Sequence, residues 1–128
     1  MIVDTSAVVA IIVAEPGWEA LVGKLERATA AGIGAPTLVE THIVLSHLLR
    51  ADARGQLARF LQEASITIVP FGEPHWRAAA TAWSKFGKGR HSAALNYGDC
   101  LTYAVAHLAN RPLLFAGDDF SRTDLIAA

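Results

Sequence analysis

Four separate stretches of the sequence carry carboxylates that a fold could bring together. Asp4 follows the β-branched pair Ile2-Val3, and Glu40 sits inside the apolar run Pro36-Thr37-Leu38-Val39-Glu40-Thr41-His42-Ile43-Val44. Asp99 closes Asn96-Tyr97-Gly98-Asp99, and the pair Asp118-Asp119 follows Leu113-Leu114-Phe115-Ala116-Gly117. An acid in an otherwise apolar helical stretch has little reason to be there unless it faces something. Carboxylates within a few ångströms of one another repel and raise one another's pKa unless a cation neutralises them. Oxygen-only donors suit Mg²⁺ or Mn²⁺, and Mg²⁺ takes only one or two carboxylates directly while keeping several waters. Metals held in this way promote in-line displacement at phosphorus, so the chemistry suggested is phosphodiester hydrolysis.

Each acid also has a plainer role. Asp4 could cap a helix together with Thr5 and Ser6, and Asn96 with Asp99 reads as a capping box with Asp in place of Glu. Asp118-Asp119 could form a turn, and Glu40 could be a solvated acid near a helix start. The convergence of several acids on one crevice outweighs these readings, and that convergence depends on the elements that carry them.

The elements read as short apolar strands alternating with helices. Residues 2–4 form a strand, followed by a helix capped by Thr5 or Ser6 and ended by Pro16-Gly17. Leu21, Val22 and Leu25 mark an amphipathic helix over 18–30, residues 33–35 a second strand, and Pro36 with Thr37 the opening of a helix to about residue 51. A helix around residues 55–63 is followed by the branched strand Ile66-Thr67-Ile68-Val69 and by a helix from Pro74 to about Phe86. A glycine-flanked loop over 87–92 leads to a helix from Asn96 to about Asn110, and residues 113–116 form the last strand. No hairpin dipeptide joins adjacent strands, so the fold class is α/β, a parallel sheet of four to five strands flanked by helices on both faces. Ligands of such sheets bind outside the carboxyl ends of the strands, where Asp4 and Asp118-Asp119 both lie.

Composition narrows the alternatives. The 128 residues are 52% apolar and 18% charged, which excludes a disordered or low-complexity chain and fits one domain over 1–128. With 11 Lys and Arg against 12 Asp and Glu, the net charge of -1 excludes a polycation, so any nucleic-acid contact must be a local patch. The lone Cys100 cannot form an internal disulfide, the N-terminus lacks a basic leader, and the early apolar run Ala7 to Ala14 is too short to span a bilayer. A cytoplasmic protein with no membrane segment is expected.

The opening Ile2-Val3-Asp4-Thr5-Ser6-Ala7, the mid-chain Glu40, the segment Leu95-Asn96-Tyr97-Gly98-Asp99-Cys100 and the closing stretch from Leu113 to Asp124 together resemble the PIN-domain ribonucleases. The resemblance is specifically to the VapC-type toxins of bacterial type II toxin–antitoxin modules, and it spans essentially the whole chain. It implies a PIN-like fold whose acids bind Mg²⁺ or Mn²⁺ and cleave RNA endonucleolytically, and it carries over directly to Asp4, Glu40 and Asp99. Either Asp118 or Asp119 completes the site, with Asp118 placed ahead as the acid nearer the metal and Asp119 bonding the loop or an incoming backbone. Thr5 and Ser6 match small hydroxyl positions that support a carboxylate, or they cap the first helix. The resemblance also implies a VapB-type antitoxin that can insert a basic side chain into the acid pocket, and a homodimer. A PIN-family RNA-processing nuclease without a toxin role is the alternative.

Between Glu73 and Asp99 there is no acid, while Arg77, Lys85, Lys88 and Arg90 supply positive charge. Lys85, Lys88 and Arg90 are therefore expected to hold the RNA backbone. Trp76 and Trp83, seven apart on one helix, share a face and are assigned to packing in the core or a dimer interface. The histidines form no HExxH pattern, and Asp99 beside Cys100 works against a thiol nucleophile. A phosphoacceptor receiver domain would need an acid pair after the first strand and a lysine after the last, and neither is present.

Overall fold

The computed structural model describes residues 1–128. Four parallel strands, β1 (Ile2–Val3), β2 (Ala31–Gly34), β3 (Ile66–Val69) and β4 (Leu113–Leu114), form one sheet in the order β3-β2-β1-β4. Six helices connect and cover them: α1 (Thr5–Ile12), α2 (Trp18–Arg27), α3 (Ala35–Leu49), α4 (Arg54–Glu63), α5 (Glu73–Phe86) and α6 (Tyr97–Ala109). The expectation of a parallel α/β sheet with four to five strands is met with four. Alternate strand residues face opposite sides, as the period of a strand requires. Ile2 and Leu113 join the core under α5 and α6, whereas Val3 and Leu114 join the core shared by α1, α3 and α4. No helix is long and apolar enough to cross a membrane.

Strand ends differ from expectation for identifiable reasons. β1 stops at Val3 because Asp4, although its N–H donates to the Leu114 carbonyl at 2.9 Å, turns into the N-cap of α1. Neither Thr5 nor Ser6 caps that helix, since the Asp4 side chain accepts the Ser6 N–H. β4 ends at Leu114 rather than residue 116, as the Ala116 N–H is donated to the Ser6 hydroxyl instead of to a neighbouring strand. β2 begins at Ala31, paired with Ile66, and ends at Gly34 because Ala35 already starts α3 with Pro36 in its first turn. The β4 edge is covered by the C-terminal residues, with the Leu113 N–H donating to the Ile126 carbonyl and the Ala128 N–H to that of Leu113.

Trp76 and Trp83 are not core residues. They are 53% and 45% exposed on α5, with the guanidinium carbons of Arg77 and Arg90 lying 4.7 and 4.0 Å from the respective ring centroids. The small residues Ala79 and Ala82 of the same helix are the ones buried against α6, so the aromatic face is left outward.

One glycine sets how closely α6 approaches the sheet. A Cβ on Gly34 would stand 2.8 Å from Val105 Cγ2, inside the packed junction of β2 and α6. Gly34→Ala is therefore expected to lower unfolding stability by about 1–3 kcal/mol through overpacking, measured by denaturant melts.

Candidate active site

The residues following β1 and β4, helix α3 and the first turn of α6 line a cleft of about 370 Å³. It is lined by Asp4, Glu40, Asp99 and Asp119, with Thr5, Ser6, Ala116 and Gly117 between them. Four of the five expected acids thus meet, each from a different part of the chain. Asp118 does not line the cleft. It is exposed in the loop after β4, and its carbonyl accepts the Ser121 N–H and hydroxyl. The preference for Asp118 over Asp119 is reversed by the turn at Gly117, whose φ of 81° carries the chain round, and by Phe120, which is buried against Phe115. Anchoring Phe120 leaves Asp119 as the residue of the pair at the cleft.

Asp4 is buried and has both oxygens occupied by donors from the chain. Oδ2 accepts the Ser6 N–H at 3.0 Å and the Ser6 hydroxyl at 2.6 Å, while Oδ1 accepts the Thr102 hydroxyl at 2.8 Å. Glu40 stands in the second turn of α3, with Oε1 accepting the Thr5 hydroxyl at 2.8 Å. Its other oxygen lies against Gly98, where any Cβ would collide with it. Gly98 is therefore the point at which α6 makes room for an acid from α3.

Asp99 has two roles at once. In the capping box of α6, its Oδ2 accepts the Asn96 N–H at 3.0 Å and its own N–H donates to Asn96 Oδ1 at 2.9 Å. Burial, set against the Asn96 bond and reinforced by the charges of Asp119, Asp4 and Glu40, pushes its carboxyl from 3.8 up to about 6. The same neighbourhood, with burial dominant and the Asp99 charge second, raises the Cys100 thiol.

Some residues at the site were not singled out from the sequence. Glu15, just past α1, adds a fifth carboxylate to the rim of the cleft. Thr37, Thr41 and Thr102 are buried beneath it. The spacing held a signal for them, because Thr37 and Thr41 share a face of α3 and Thr102 lies three residues after Asp99 on α6. Lys85, Lys88 and Arg90 are exposed and none lines the cleft. Lys85 ends α5, while Lys88 and Arg90 lie on the loop before α6, whose Ser92 carbonyl accepts a bond from Arg122 of the loop that bears Asp119.

The donor set fits a hard divalent cation: the side chains reaching the cleft offer oxygen and no nitrogen or sulfur. A protonation-prone Asp99 among unneutralised acids is the electrostatic mark of such a site. No three of these acids form a ready-made ion cage, so a cation in the cleft would keep part of its water shell.

A raised carboxyl pKa disfavours the ionised folded state, so the contribution of Asp99 to stability is greatest below its unfolded pKa and falls as pH rises through about 6. In metal-free protein, Asp99→Asn is expected to raise stability near neutral pH by on the order of 1 kcal/mol, the carboxylate being partly solvated. The variant is also expected to flatten the decline in melting temperature between about pH 4 and 7, while added Mg²⁺ stabilises only the parent.

Comparison with known proteins agrees with this architecture. The PIN domain family model matches residues 1–126. Ribonuclease VapC36 of Mycobacterium tuberculosis is 44% identical over 126 residues, covering 98% of this chain and 91% of that protein. A ribonuclease VapC of Mycolicibacterium smegmatis is 39% identical over 127 residues, covering 99% and 98%. Among solved structures, a chain of a toxin–antitoxin complex from Klebsiella pneumoniae superposes with a TM-score of 0.72 at 13% identity, covering 99% of this chain and 95% of that one, a likeness of fold. A four-strand parallel sheet with six helices, a full-length PIN match and near full-length identity to VapC enzymes place this chain in the PIN-domain family, among the VapC ribonucleases.

Proposed function

We propose that this chain is a Mg²⁺- or Mn²⁺-dependent endoribonuclease acting in the cytoplasm as the toxin of a type II toxin–antitoxin module. The observation that carries the reading is the meeting of Asp4, Glu40, Asp99 and Asp119, from four separate segments, in one cleft at the carboxyl edge of the sheet. Asp4, Asp99 and Asp119 would hold a hydrated metal, in part through its waters, with Glu40 beside them and Asp118 outside. When bound, the cation supplies Lewis-acid activation of water and stabilisation of charge on the scissile phosphate.

The chain's own groups supply orientation. Ser6 holds Asp4 through its N–H and hydroxyl while accepting the Ala116 N–H, so one serine ties the first acid to the end of β4. Thr5 holds Glu40, and Asn96 holds Asp99. Thr5 and Ser6 would thus act as supports for carboxylates. Without a cation the cleft repels a phosphodiester, so binding of RNA there depends on charge neutralisation.

Lys85, Lys88 and Arg90 lie outside the cleft, where they would grip phosphates flanking the scissile bond. The outward apolar side chains Val39 and Ile43 of α3 and Trp76 and Trp83 of α5, together with Tyr97, are the surface we assign to a homodimer. A VapB-type antitoxin silences the enzyme by placing a basic side chain among the acids, where its charge replaces that of the metal.

Purified protein freed of partners is expected to cut a mixed RNA pool with Mg²⁺ or Mn²⁺ and not with EDTA. The Asp4→Asn, Asp99→Asn double variant is expected to lose at least about 100-fold in rate, scored on denaturing gels. Metal-independent cleavage, or cleavage retained by the variant, would overturn the reading. Neutralising Lys85, Lys88 and Arg90 together is expected to weaken RNA binding and to reduce the log–log salt slope by up to about 3, measured by fluorescence anisotropy.

A further inference from the structure

Asp4 is the most deeply buried acid of the cleft, and its Oδ1 has one partner within the chain, the Thr102 hydroxyl at 2.8 Å. Thr102 has a single hydroxyl proton, and it is donated to Asp4 Oδ1. Thr102 Oγ1 lies 3.1 Å from Thr37 Oγ1, and with the Thr102 proton already committed, Thr37 is the donor of that bond. A directed relay runs from Thr37 on α3, through Thr102 on α6, to Asp4 at the end of β1.

These threonines are 2% and 1% exposed, so the relay has no water to replace it if a hydroxyl is removed. Two valines of the same shape would fill the space between α3, α6 and the sheet, but they would leave the buried Asp4 Oδ1 without its partner. The hydroxyls earn their desolvation only through the acid at the end of the relay. Ser6 acts from the other side, so Asp4 is gripped at Oδ2 by β4-linked groups and at Oδ1 by the α3–α6 junction.

We propose that Thr102, oriented by Thr37, is a positioning residue that sets the direction of the Asp4 carboxylate and thereby the affinity of the cleft for its divalent cation. This rests on the reading of the cleft as a metal site. Neither threonine reaches substrate; both act through Asp4. Removing Thr102's hydroxyl frees Oδ1 to turn, and loss of a hydrogen-bond partner behind a ligating side chain costs metal affinity about 10- to 100-fold.

The test is titration of the metal-free full chain with Mn²⁺ alone, followed by electron paramagnetic resonance of the free ion, with thermal melts of each variant alongside. Thr102→Val is expected to weaken Mn²⁺ binding at least about tenfold, Thr37→Val about threefold, and Thr102→Ser, which keeps the hydroxyl, to stay within about twofold of the parent. Thr102→Ser and Thr102→Ala differ by the hydroxyl alone, so their comparison carries the same test should the valine variant not fold. In cleavage assays the concentration of Mn²⁺ giving half-maximal rate should rise in step, while KM for RNA at saturating Mn²⁺ stays unchanged. Parent-like Mn²⁺ binding by Thr102→Val, or by the alanine variant relative to serine, would overturn the proposal and leave the metal site intact. A parent that binds no Mn²⁺, or binds it no more tightly than Asp4→Asn, would overturn the metal site and the proposal together.

Discussion

The mutual repulsion of carboxylates crowded at one edge of a parallel sheet is the constraint around which this molecule is organised. Asp4, Glu40, Asp99 and Asp119 share a cleft, and the Asp99 carboxyl is raised to about 6 by burial and by its neighbours. A fold that assembles such a group works against its own stability until a cation arrives. The acids are therefore kept in place by interactions that do not relax when their charges repel.

Those interactions are short and mostly made by hydroxyls and backbone amides. Ser6, Thr5, Asn96 and Thr102 each donate to one acid. Serine and threonine carry no formal charge, so they can be buried beside a carboxylate without neutralising it, as an arginine or lysine would. The cleft thus keeps its negative field. The two ion pairs of the chain, Arg54 with Asp52 and Arg77 with Glu73, are exposed and join residues close in sequence. They add little to stability and leave the cleft's charge alone.

The sheet provides the frame that these bonds fasten. Parallel strands bring β1 and β4 side by side although they are separated by most of the chain, so Asp4 and Asp119 emerge on the same edge. Helix α3 starts with no loop after β2, which sets Glu40 in its second turn above that edge. Helix α6 approaches closely because Gly34 and Gly98 carry no side chain where Val105 and Glu40 need the space. The same packing leaves the aromatic face of α5 outward, which is why a pair of tryptophans at helical spacing lies outside the core.

Much of this was legible in the residues. Apolar strands of two to four residues alternating with amphipathic helices determined a parallel α/β sheet, because strands without hairpin turns between them must be joined by crossovers. Once that was so, acids at strand ends had to share an edge, and the capping box at Asn96 and Asp99 was readable from three-residue spacing alone. Tertiary structure decided the rest. Whether Asp118 or Asp119 entered the cleft depended on the turn at Gly117 and on burial of Phe120, contacts that local sequence does not specify. The role of Thr37 and Thr102 depended on a hydrogen bond between residues 65 apart, and that of Ser6 on an amide 110 residues away. Local spacing fixes which groups a helix or strand presents; only the packing of those elements decides which distant groups they meet.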